Sequence, residues 1–278
     1  MSSRPTAIEA LAQDPARSGL VLDFDGVLSP IIEDPTASQM PERVAATLAR
    51  LATELGLLAV LSGRPAEFLA GRVRVGGVRL LGSYGIEQIW DGVRRIDPEA
   101  QKWLGPVQEA SRALRDALAA SPGIRVEEKS VSVAVHWRQA PDRRAAADQV
   151  RRATRRIAAE TGLRLEPGKL VEELRPPIDM DKGAALSALM ASEKLATIAY
   201  AGDDLGDIPA LWAVREAGGY ALVVDHGSET DPRLLELADQ TCDGTDGFAL
   251  WLAELADTIG AGRAGQGRAG GSGRPRPT

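Results

Sequence analysis

The 278-residue chain is poor in cysteine, histidine and aromatic residues. Its single cysteine, Cys242, excludes an intrachain disulfide and a zinc site built from four thiolates, and it is expected to be a small buried apolar side chain. The two histidines are His136 and His226, and neither an H-E-x-x-H nor a G-x-G-x-x-G pattern occurs. A zinc protease and a dinucleotide-binding protein are therefore disfavoured.

Long apolar runs and an excess of positive charge are also missing. No run approaches the roughly 20 residues that a membrane span needs, and the first residues lack the apolar centre of a signal peptide. The net charge of -6 argues against a nucleic-acid partner. We therefore expect a cytoplasmic protein with neither a membrane nor a nucleic-acid partner, and the oligomeric state is left open.

Short apolar runs alternate with helical patterns in the first and last thirds of the chain. The runs GLVLDF, LLAVLSGR, LATIAYAGDD and YALVVD are typical of buried parallel strands, and patterns with helical spacing follow them. This alternation predicts the fold class as α/β, with a Rossmann-like core domain built on a parallel sheet.

The middle third has a different pattern, with two helices and about four strands. Hairpins are predicted about Asp91-Gly92 and Pro167-Gly168, and a long amphipathic helix is predicted from Pro98 onward. We interpret this part as an inserted α+β module. The predicted organisation is an N-terminal extension (1–18), a core domain (19–95 and 179–259), an inserted cap (96–178) and a disordered Gly/Arg-rich tail (260–278).

Two of the predicted strands end in aspartates, Asp23 and Asp25 in one case and Asp203 and Asp204 in the other. The carboxyl ends of parallel strands gather at one edge of the sheet, where ligands of such sheets bind. Clustered carboxylates repel one another unless a cation lies between them. The expected occupant is a hard, oxygen-binding ion, and Mg²⁺ with a phosphate-bearing substrate fits.

An acidic pocket needs positive compensation before it can bind a phosphate. Lys182 at the start of a helix could supply that charge, and Ser62 with the backbone N–H groups of SGR could donate hydrogen bonds. A carboxylate held against phosphorus can attack it, and a second carboxyl two residues on can move the protons. An EF-hand and a P-loop are excluded, since DFDG has glycine at the wrong position and Lys169 is not followed by Ser or Thr.

These residues resemble the four motifs of the haloacid-dehalogenase-type phosphatases, in the family's order. DFDGVLSP matches the first motif, LSGR the second, the lysine of DKG the third and GDDLGD the fourth. The module between the second motif and Lys182 resembles the family's type-2 cap. DGVLSPI, VAVHWR and GKLVEELRPPIDMDKGAAL are similar to the trehalose-6-phosphate phosphatase family, which implies a phosphorylated disaccharide substrate.

The resemblance implies a role for each matching residue. Asp23 is the expected nucleophile and a Mg²⁺ ligand, and Asp25 is the general acid/base that offers Mg²⁺ its backbone carbonyl. Ser62 and Lys182 are expected to hold the transferring phosphoryl group. Asp203 is the further expected Mg²⁺ ligand, while Asp204 and Asp207 act around it, with Asp204 kept as a candidate ligand.

Further residues match positions expected around the sugars: Gly63, Arg64, Tyr84, His136, Arg138, Lys169, Glu173 and Arg175. Tyr84 stands where the family commonly has histidine in G-x-H-G-x-E, so another phosphorylated disaccharide or pseudo-disaccharide stays open as the substrate. Two readings without catalysis also stay open. They are a phospho-accepting receiver domain, which the inserted module and Asp25 disfavour, and a sugar-binding pseudophosphatase.

Overall fold

The computed structural model describes residues 4–32, 34–168 and 170–269. Its helices are α1 (Ala7–Gln13), α2 (Glu42–Leu51), α3 (Ala66–Arg72), α4 (Pro98–Gln101), α5 (Leu104–Leu118), α6 (Arg143–Thr161), α7 (Lys182–Ser192), α8 (Ile208–Glu216), α9 (Pro232–Leu237) and α10 (Gly244–Ala269). Its strands are β1 (Ser18–Leu22), β2 (Leu57–Leu61), β3 (Arg79–Gly82), β4 (Glu87–Trp90), β5 (Val93–Ile96), β6 (Arg125–Glu128), β7 (Val133–His136), β8 (Arg164–Gly168), β9 (Val171–Arg175), β10 (Thr197–Gly202), β11 (Tyr220–Asp225) and β12 (Gln240–Asp243).

A large sheet with the strand order β12-β11-β10-β1-β2-β3-β4-β5 forms the centre of the first unit. The neighbours from β12 to β3 pair in parallel, and β4 then pairs with β3 in the antiparallel direction. β1 lies between β10 and β2, so the ends of the strands that carry the predicted motifs are adjacent. The predicted parallel α/β core is confirmed.

Side chains of β1 alternate between two apolar layers. Leu20 and Leu22 pack in the layer that also holds residues of α1, α2 and α10, whereas Val21 packs in the opposite layer with residues of α7 and α8. Phe24 continues the first of these layers, is fully buried and makes an edge-to-face contact with Phe68 at 6.0 Å. The position of Phe24 leaves Asp23 and Asp25 on the other side of the chain.

The second unit comprises Arg95–Asp179, and the first unit comprises the described residues on either side of it. Four antiparallel strands in the order β6-β7-β9-β8 form its sheet. Val133, Val135 and Leu174 on one face of that sheet pack with apolar residues of α5 and α6. The opposite face carries the alternate, mostly polar residues of the same strands.

The hairpin predicted at Pro167-Gly168 turns further along the chain. Pro167 and Gly168 belong to β8, where Gly168 pairs with Val171 of β9, so the strand continues past the predicted turn. Leu170 has a φ of 60°, in the left-handed region that such turns require. The Pro-Gly pair was therefore a misleading turn signal, because the strand pairing extends past it.

Several elements differ from the sequence prediction. The helix predicted from Pro98 onward is divided into α4 and α5. Four elements were not predicted from the sequence, namely α1, β3, α9 and β12. The disordered tail predicted from residue 260 is wrong for 260–269, where α10 continues to Ala269. Extending an existing helix needs no new nucleus, which allows Ala- and Arg-containing residues to continue it. Residues 270–278 lie outside the described residues.

Among the described residues, no helix combines the length and the apolarity needed to cross a bilayer.

Truncation of the buried aromatic ring between the two aspartates should destabilise the first unit strongly. Phe24→Ala removes a fully buried ring and its contact with Phe68, so we expect the free energy of unfolding to fall by about 3–5 kcal/mol. Trp212→Ala is the control, because Trp212 is 53% exposed, and its effect should stay within about 0.5 kcal/mol. Urea unfolding measures both, and equal effects of the two variants would contradict the packing described for Phe24.

Candidate active site

Asp23 directly follows β1 and is held by the sheet. Its backbone N–H donates to the carbonyl of Ala201 at 2.9 Å, which continues the pairing of β1 with β10 by one residue. The side chain of Asp23 is 6% exposed. The chain then turns at Gly26, which has a φ of 77° and donates its N–H to the carbonyl of Ser29 at 2.8 Å.

Gly26 also lies against the carboxylate of Asp203, at the end of β10. A Cβ atom on Gly26 would come within 1.9 Å of Asp203 Oδ2. The turn after β1 and the loop after β10 are therefore in direct contact, and a side chain at position 26 would separate them. Glycine is required here by the positive φ and by this close approach.

The loop after β10 is organised around the fully buried carboxylate of Asp207. Its Oδ2 accepts the backbone N–H groups of Asp203 and Asp204 at 2.9 and 3.0 Å. Its Oδ1 accepts the Tyr200 hydroxyl and the Lys182 ammonium. With both oxygens engaged, Asp207 fixes the loop that presents Asp203.

Lys182 is the first residue of α7, and it brings a positive charge into this acidic cluster. Its Nζ lies 2.7 Å from Asp207 Oδ1 and 2.9 Å from Asp23 Oδ1, with the side chain 5% exposed. The close packing of α7 on α8 supports this position, since a Cβ atom on Gly183 would lie 2.6 Å from the carbonyl oxygen of Pro209. Breaking a buried pair of this kind costs about 3–5 kcal/mol.

The cluster carries more negative than positive charge, and the pKa values reflect this imbalance. Burial, with the charges of Asp207 and Asp204 added, raises the pKa of Asp23 to about 8 although Lys182 opposes the shift. Burial and the neighbouring Asp23 raise the pKa of Asp203 to about 9. Burial also acts on Asp207, but the Lys182 charge and the hydrogen bonds outweigh it and lower the pKa of Asp207.

Two oxygen atoms in this cluster are suited to bind a metal ion. Oδ1 of Asp23 and Oδ1 of Asp203 are buried, and neither accepts an aligned hydrogen bond from the described residues, despite the ion pair of Asp23 with Lys182. Ligand atoms of Asp23, Asp203 and Asp207 all lie within 4.8 Å of one another. A cation between Asp23 and Asp203 would offset their burial and mutual repulsion.

Asp204 differs from Asp203 and Asp207 because its side chain is exposed. Its Oδ1 accepts the N–H of Gly206 at 2.8 Å, as a cap of the short turn before α8. Burial and the nearby Asp207 raise the pKa of Asp204. Asp204 is not part of the acidic triad, and its role as a metal ligand stays a prediction.

Asp25 contacts the second motif. Its carboxylate forms a two-point ion pair with Arg64, at 2.7 Å from Nε and 3.0 Å from Nη2, and Oδ1 also accepts the Ser38 hydroxyl at 2.9 Å. The Arg64 guanidinium lies over the Phe68 ring at 4.7 Å. Asp25 is therefore oriented by partners from two other segments of the first unit.

The loop after β3 packs against the second motif. The backbone N–H of Tyr84 donates to the carbonyl of Ser62 at 2.9 Å, and a Cβ atom on Gly63 would lie 2.9 Å from the Tyr84 ring. Tyr84 has a φ of 59°, an uncommon conformation for a residue with a side chain. The buried carboxylate of Glu87 supports the loop by accepting the Ser83 hydroxyl at 3.1 Å and the Ala66 N–H at 3.2 Å.

A cavity of about 340 Å³ in the first unit brings most of the predicted residues together. Its lining contains residues from all four motifs and from the loop after β3. They are Asp23, Asp25, Ile31, Ser62, Gly63, Arg64, Tyr84, Lys182, Asp203, Asp204 and Gly206.

The remaining predicted residues belong to the second unit. His136 Nε2 lies 2.8 Å from Glu127 Oε2, Glu173 Oε2 accepts the Lys129 ammonium at 2.9 Å, and Arg175 pairs with Glu166. His136, Glu173 and Arg175 project from the sheet face opposite α5 and α6. Arg138 is exposed, and Lys169 lies outside the described residues.

Sequence reasoning missed several residues that support the site. Ser38 orients Asp25, Glu87 holds the loop of Tyr84, and His226 Nε2 lies 2.9 Å from the Gly26 carbonyl oxygen. A signal existed for His226, because it follows the carboxyl end of β11 as Asp23 and Asp203 follow theirs. A signal also existed for Glu87, which is the final residue of the G-x-H-G-x-E pattern that Tyr84 interrupts. Ser38 has no comparable signal, since its partner is distant in the chain.

The fold of the chain is shared with haloacid-dehalogenase-like proteins of known structure. A trehalose-6-phosphate phosphatase related protein has the same fold, with a TM-score of 0.72, 21% identity and coverage of 88% of this chain and 99% of that chain. A haloacid dehalogenase-like hydrolase from Bacteroides thetaiotaomicron gives a TM-score of 0.57 at 18% identity, with 88% of this chain and 98% of that chain covered.

A family model described as trehalose-phosphatase matches residues 21–234, and the chain belongs to that family. The trehalose-phosphate phosphatase of Mycobacterium marinum is 34% identical over 241 residues, which are 83% of this chain and 61% of that protein. An uncharacterized glycosyl hydrolase of Mycobacterium tuberculosis is 36% identical over 269 residues, 92% of this chain but 20% of that protein. The chain thus spans less than two thirds of the length of these relatives. The trehalose-6-phosphate phosphatase family, predicted from DGVLSPI, VAVHWR and GKLVEELRPPIDMDKGAAL, is confirmed.

The contact between Gly26 and Asp203 can be tested by Gly26→Ala. The new methyl group would meet Asp203 Oδ2, in a backbone conformation that already disfavours a side chain. We expect the free energy of unfolding to fall by about 3 kcal/mol or more, and the affinity for a divalent cation to fall at least about tenfold. Chemical unfolding and calorimetric titration with Mg²⁺ measure the two effects.

Gly92→Ala separates backbone strain from steric conflict. Gly92 has a φ of 73°, but a Cβ atom there has no described atom within 4 Å. Its substitution should cost about 1 kcal/mol and leave cation affinity unchanged. Equal losses for the two alanine variants would show that the contact with Asp203 is unimportant.

The raised pKa of Asp23 predicts the pH dependence of stability without divalent cations. A carboxyl group that binds its proton more tightly in the folded state stabilises the fold fully below its ordinary pKa, and this contribution is lost as pH rises toward about 8. In chelator, the free energy of unfolding of the unaltered protein, minus that of Asp23→Asn, should decrease from pH 5 to pH 8. The limiting slope is about 1.4 kcal/mol per pH unit.

Denaturant unfolding of both proteins at each pH measures this difference. Asp23→Asn is the reference for the unaltered protein because its side-chain amide does not titrate. Saturating Mg²⁺ should flatten the dependence or reverse it, since the cation favours the ionised carboxylate. A difference that rises with pH in chelator would contradict the burial and charge imbalance described for Asp23.

Proposed function

We propose that this chain is a Mg²⁺-dependent phosphatase that hydrolyses trehalose 6-phosphate to trehalose and phosphate through an aspartyl-phosphate on Asp23. The observation that carries the proposal is the single cavity lined by Asp23, Asp25, Ser62 and Lys182. These are a nucleophile, an acid/base group and two phosphate-binding groups, and the family membership of the chain supports the same chemistry.

Asp23 is the proposed nucleophile because it is a buried carboxylate held rigidly at the end of β1. One of its oxygens attacks the phosphorus, and the bond from phosphorus to the sugar oxygen breaks. Its position next to Lys182 supports this role, since the ammonium favours the ionised carboxylate that the attack requires.

Asp25 is the proposed general acid/base. It gives its proton to the departing sugar oxygen and then takes a proton from the water that attacks the phospho-aspartate, which releases inorganic phosphate and restores Asp23. The ion pair with Arg64 occupies the Asp25 carboxylate in this structure. We expect Arg64 to exchange this contact for the substrate, which would free Asp25 for proton transfer.

Lys182 and Ser62 are proposed to bind the phosphoryl oxygens, with the backbone N–H groups that follow Ser62. Mg²⁺, held by Asp23, the backbone carbonyl of Asp25 and Asp203, would neutralise the phosphate and orient it for attack. Asp23 and Asp203 are supported as ligands because each has a buried oxygen that accepts no aligned hydrogen bond from the described residues. Asp204 is kept as a further candidate ligand.

The substrate is proposed from the family and from the charged residues of the second unit. His136, Arg138, Lys169, Glu173 and Arg175, with Gly63, Arg64 and Tyr84 of the first unit, are proposed to contact the phosphorylated disaccharide. Relatives with the name trehalose-phosphate phosphatase support trehalose 6-phosphate. Tyr84 keeps a related phosphorylated disaccharide as the second candidate. We also propose a cytoplasmic location, where sugar phosphates are expected.

Phosphate release from a panel of sugar phosphates tests the proposal. With Mg²⁺, trehalose 6-phosphate should give the highest kcat/KM, chelator should abolish turnover, and Asp23→Asn should lower kcat by at least about 10⁴-fold because the nucleophile is lost. Asp148→Asn is the matched control, since Asp148 is an exposed residue of α6, and it should stay within twofold of the unaltered protein.

The panel also separates the class of reaction from the choice of sugar. Preference for another disaccharide phosphate, with Asp23 and Mg²⁺ still required, would retain the phosphatase and replace the substrate. Turnover that survives Asp23→Asn would contradict the mechanism. A phospho-aspartate that persists without turnover would favour a receiver-type function instead.

A further inference from the structure

His226 lies at the carboxyl end of β11 and reaches toward the acidic cluster. Its backbone N–H donates to the Thr230 hydroxyl at 2.7 Å, and Asp225 accepts the N–H of Gly227 at 2.9 Å in the same turn. The side chain is 19% exposed. The imidazole is therefore held by an ordered turn that follows β11, and β11 leads to none of the four motifs.

The imidazole contacts two groups of the proposed metal site. Its Nε2 lies 2.9 Å from the carbonyl oxygen of Gly26 and 3.6 Å from Asp203 Oδ2. A carbonyl oxygen only accepts, so Nε2 must carry the proton and donate to Gly26. This hydrogen bond joins residues 200 positions apart in the chain.

The hydrogen bond from His226 holds the carbonyl group of Gly26, in the turn after β1. The Gly26 N–H already donates to Ser29, and the His226 ring now holds the carbonyl, so the peptide groups on both sides of the Cα atom are anchored. The orientation of the neighbouring Asp25 carbonyl, a proposed ligand, depends on this turn. Loss of the imidazole would leave the Gly26 carbonyl without this hydrogen bond.

The same imidazole limits the orientation of the Asp203 carboxylate. The whole carboxylate lies against Gly26, and Oδ2 is the oxygen placed 3.6 Å from His226 Nε2. Oδ1 is buried and accepts no hydrogen bond from the described residues. The His226 ring therefore limits Oδ2, whereas Oδ1 is left for a cation.

We propose that His226 is a positioning residue for the divalent-cation site, which acts by donating from Nε2 to the Gly26 carbonyl and by confining Asp203 Oδ2. The inference rests on the proposed Mg²⁺-dependent function. His226 does not bind the cation or the substrate in this proposal. It maintains the relative position of the turn after β1 and the loop after β10.

The proposal requires a donor at the position of Nε2. His226→Gln retains one, because a glutamine side-chain amide can reach approximately the same position, whereas His226→Ala removes it. Asp225→Asn is the matched control in the same turn, because its amide oxygen can still accept the Gly227 N–H. Asp225 has no described contact with Gly26 or Asp203.

Binding of Mn²⁺ without substrate is the measurement, with free Mn²⁺ followed by electron paramagnetic resonance and Mg²⁺ added in competition. We expect His226→Ala to raise the Kd for Mn²⁺ by about 10–100-fold, as for other residues that orient metal ligands. His226→Gln should recover most of the affinity, and Asp225→Asn should stay within threefold of the unaltered protein.

Thermal unfolding in chelator shows whether His226 stabilises the fold rather than positions the cation site. If His226→Ala lowers the Tm while its Kd for Mn²⁺ stays within twofold, the positioning role is wrong although the fold depends on the residue. Equal losses of affinity in His226→Ala and His226→Gln would also overturn it. If the unaltered protein binds no Mn²⁺ at millimolar concentration, the proposed metal-dependent function fails as well.

Discussion

The site depends on an unbalanced group of buried charges. The carboxylates of Asp23, Asp203 and Asp207 are all less than a tenth exposed, and Lys182 is the buried cation that contacts two of them. Burial raises the pKa values of Asp23 and Asp203, and the neighbouring carboxylates raise them further because one positive charge does not neutralise three negative ones. The fold must therefore supply enough packing and hydrogen bonding to retain the cluster until a cation or phosphate completes it.

The parallel sheet supplies that support. β1 and β10 are neighbours and end at the same edge, so Asp23 and Asp203 approach without either strand leaving its pairing. Asp207 then collects two backbone N–H groups, a hydroxyl and an ammonium, and this fixes the loop between β10 and α8. Asp207 belongs to the acidic triad by distance, but its saturated oxygens favour a role in holding Asp203 over a role as a ligand.

Much of this arrangement could be predicted from the sequence because it follows from strand order and strand ends. The apolar runs before Asp23 and Asp203 identified two parallel strands, and their common edge predicted one cleft. The pairing of Asp25 with Arg64 could not be predicted in the same way. It depends on how two loops meet, and a spacing rule contains no information on that.

The errors have equally local causes. Pro167-Gly168 is a strong turn signal, yet both residues pair with β9 and the strand continues through them. The Gly- and Arg-rich composition after residue 260 suggested disorder, but a helix that already exists can continue through alanine and arginine to Ala269. Composition describes a segment in isolation, whereas both outcomes were decided by the element to which the segment is attached.

Close approach, more than backbone flexibility, explains the glycines at the ends of β1 and β10. A Cβ atom on Gly26 would overlap Asp203, and one on Gly202 would lie 2.4 Å from Asp207 Cγ. Gly202 has no positive φ, so only the space against Asp207 requires glycine there. Because neither residue has a Cβ atom, the carboxylates of Asp203 and Asp207 can lie close to the strand ends. This proximity also increases the repulsion between the carboxylates. The close approach of the aspartates therefore costs electrostatic repulsion and lost side-chain packing at the two glycines. A bound cation would offset that repulsion and stabilise the arrangement.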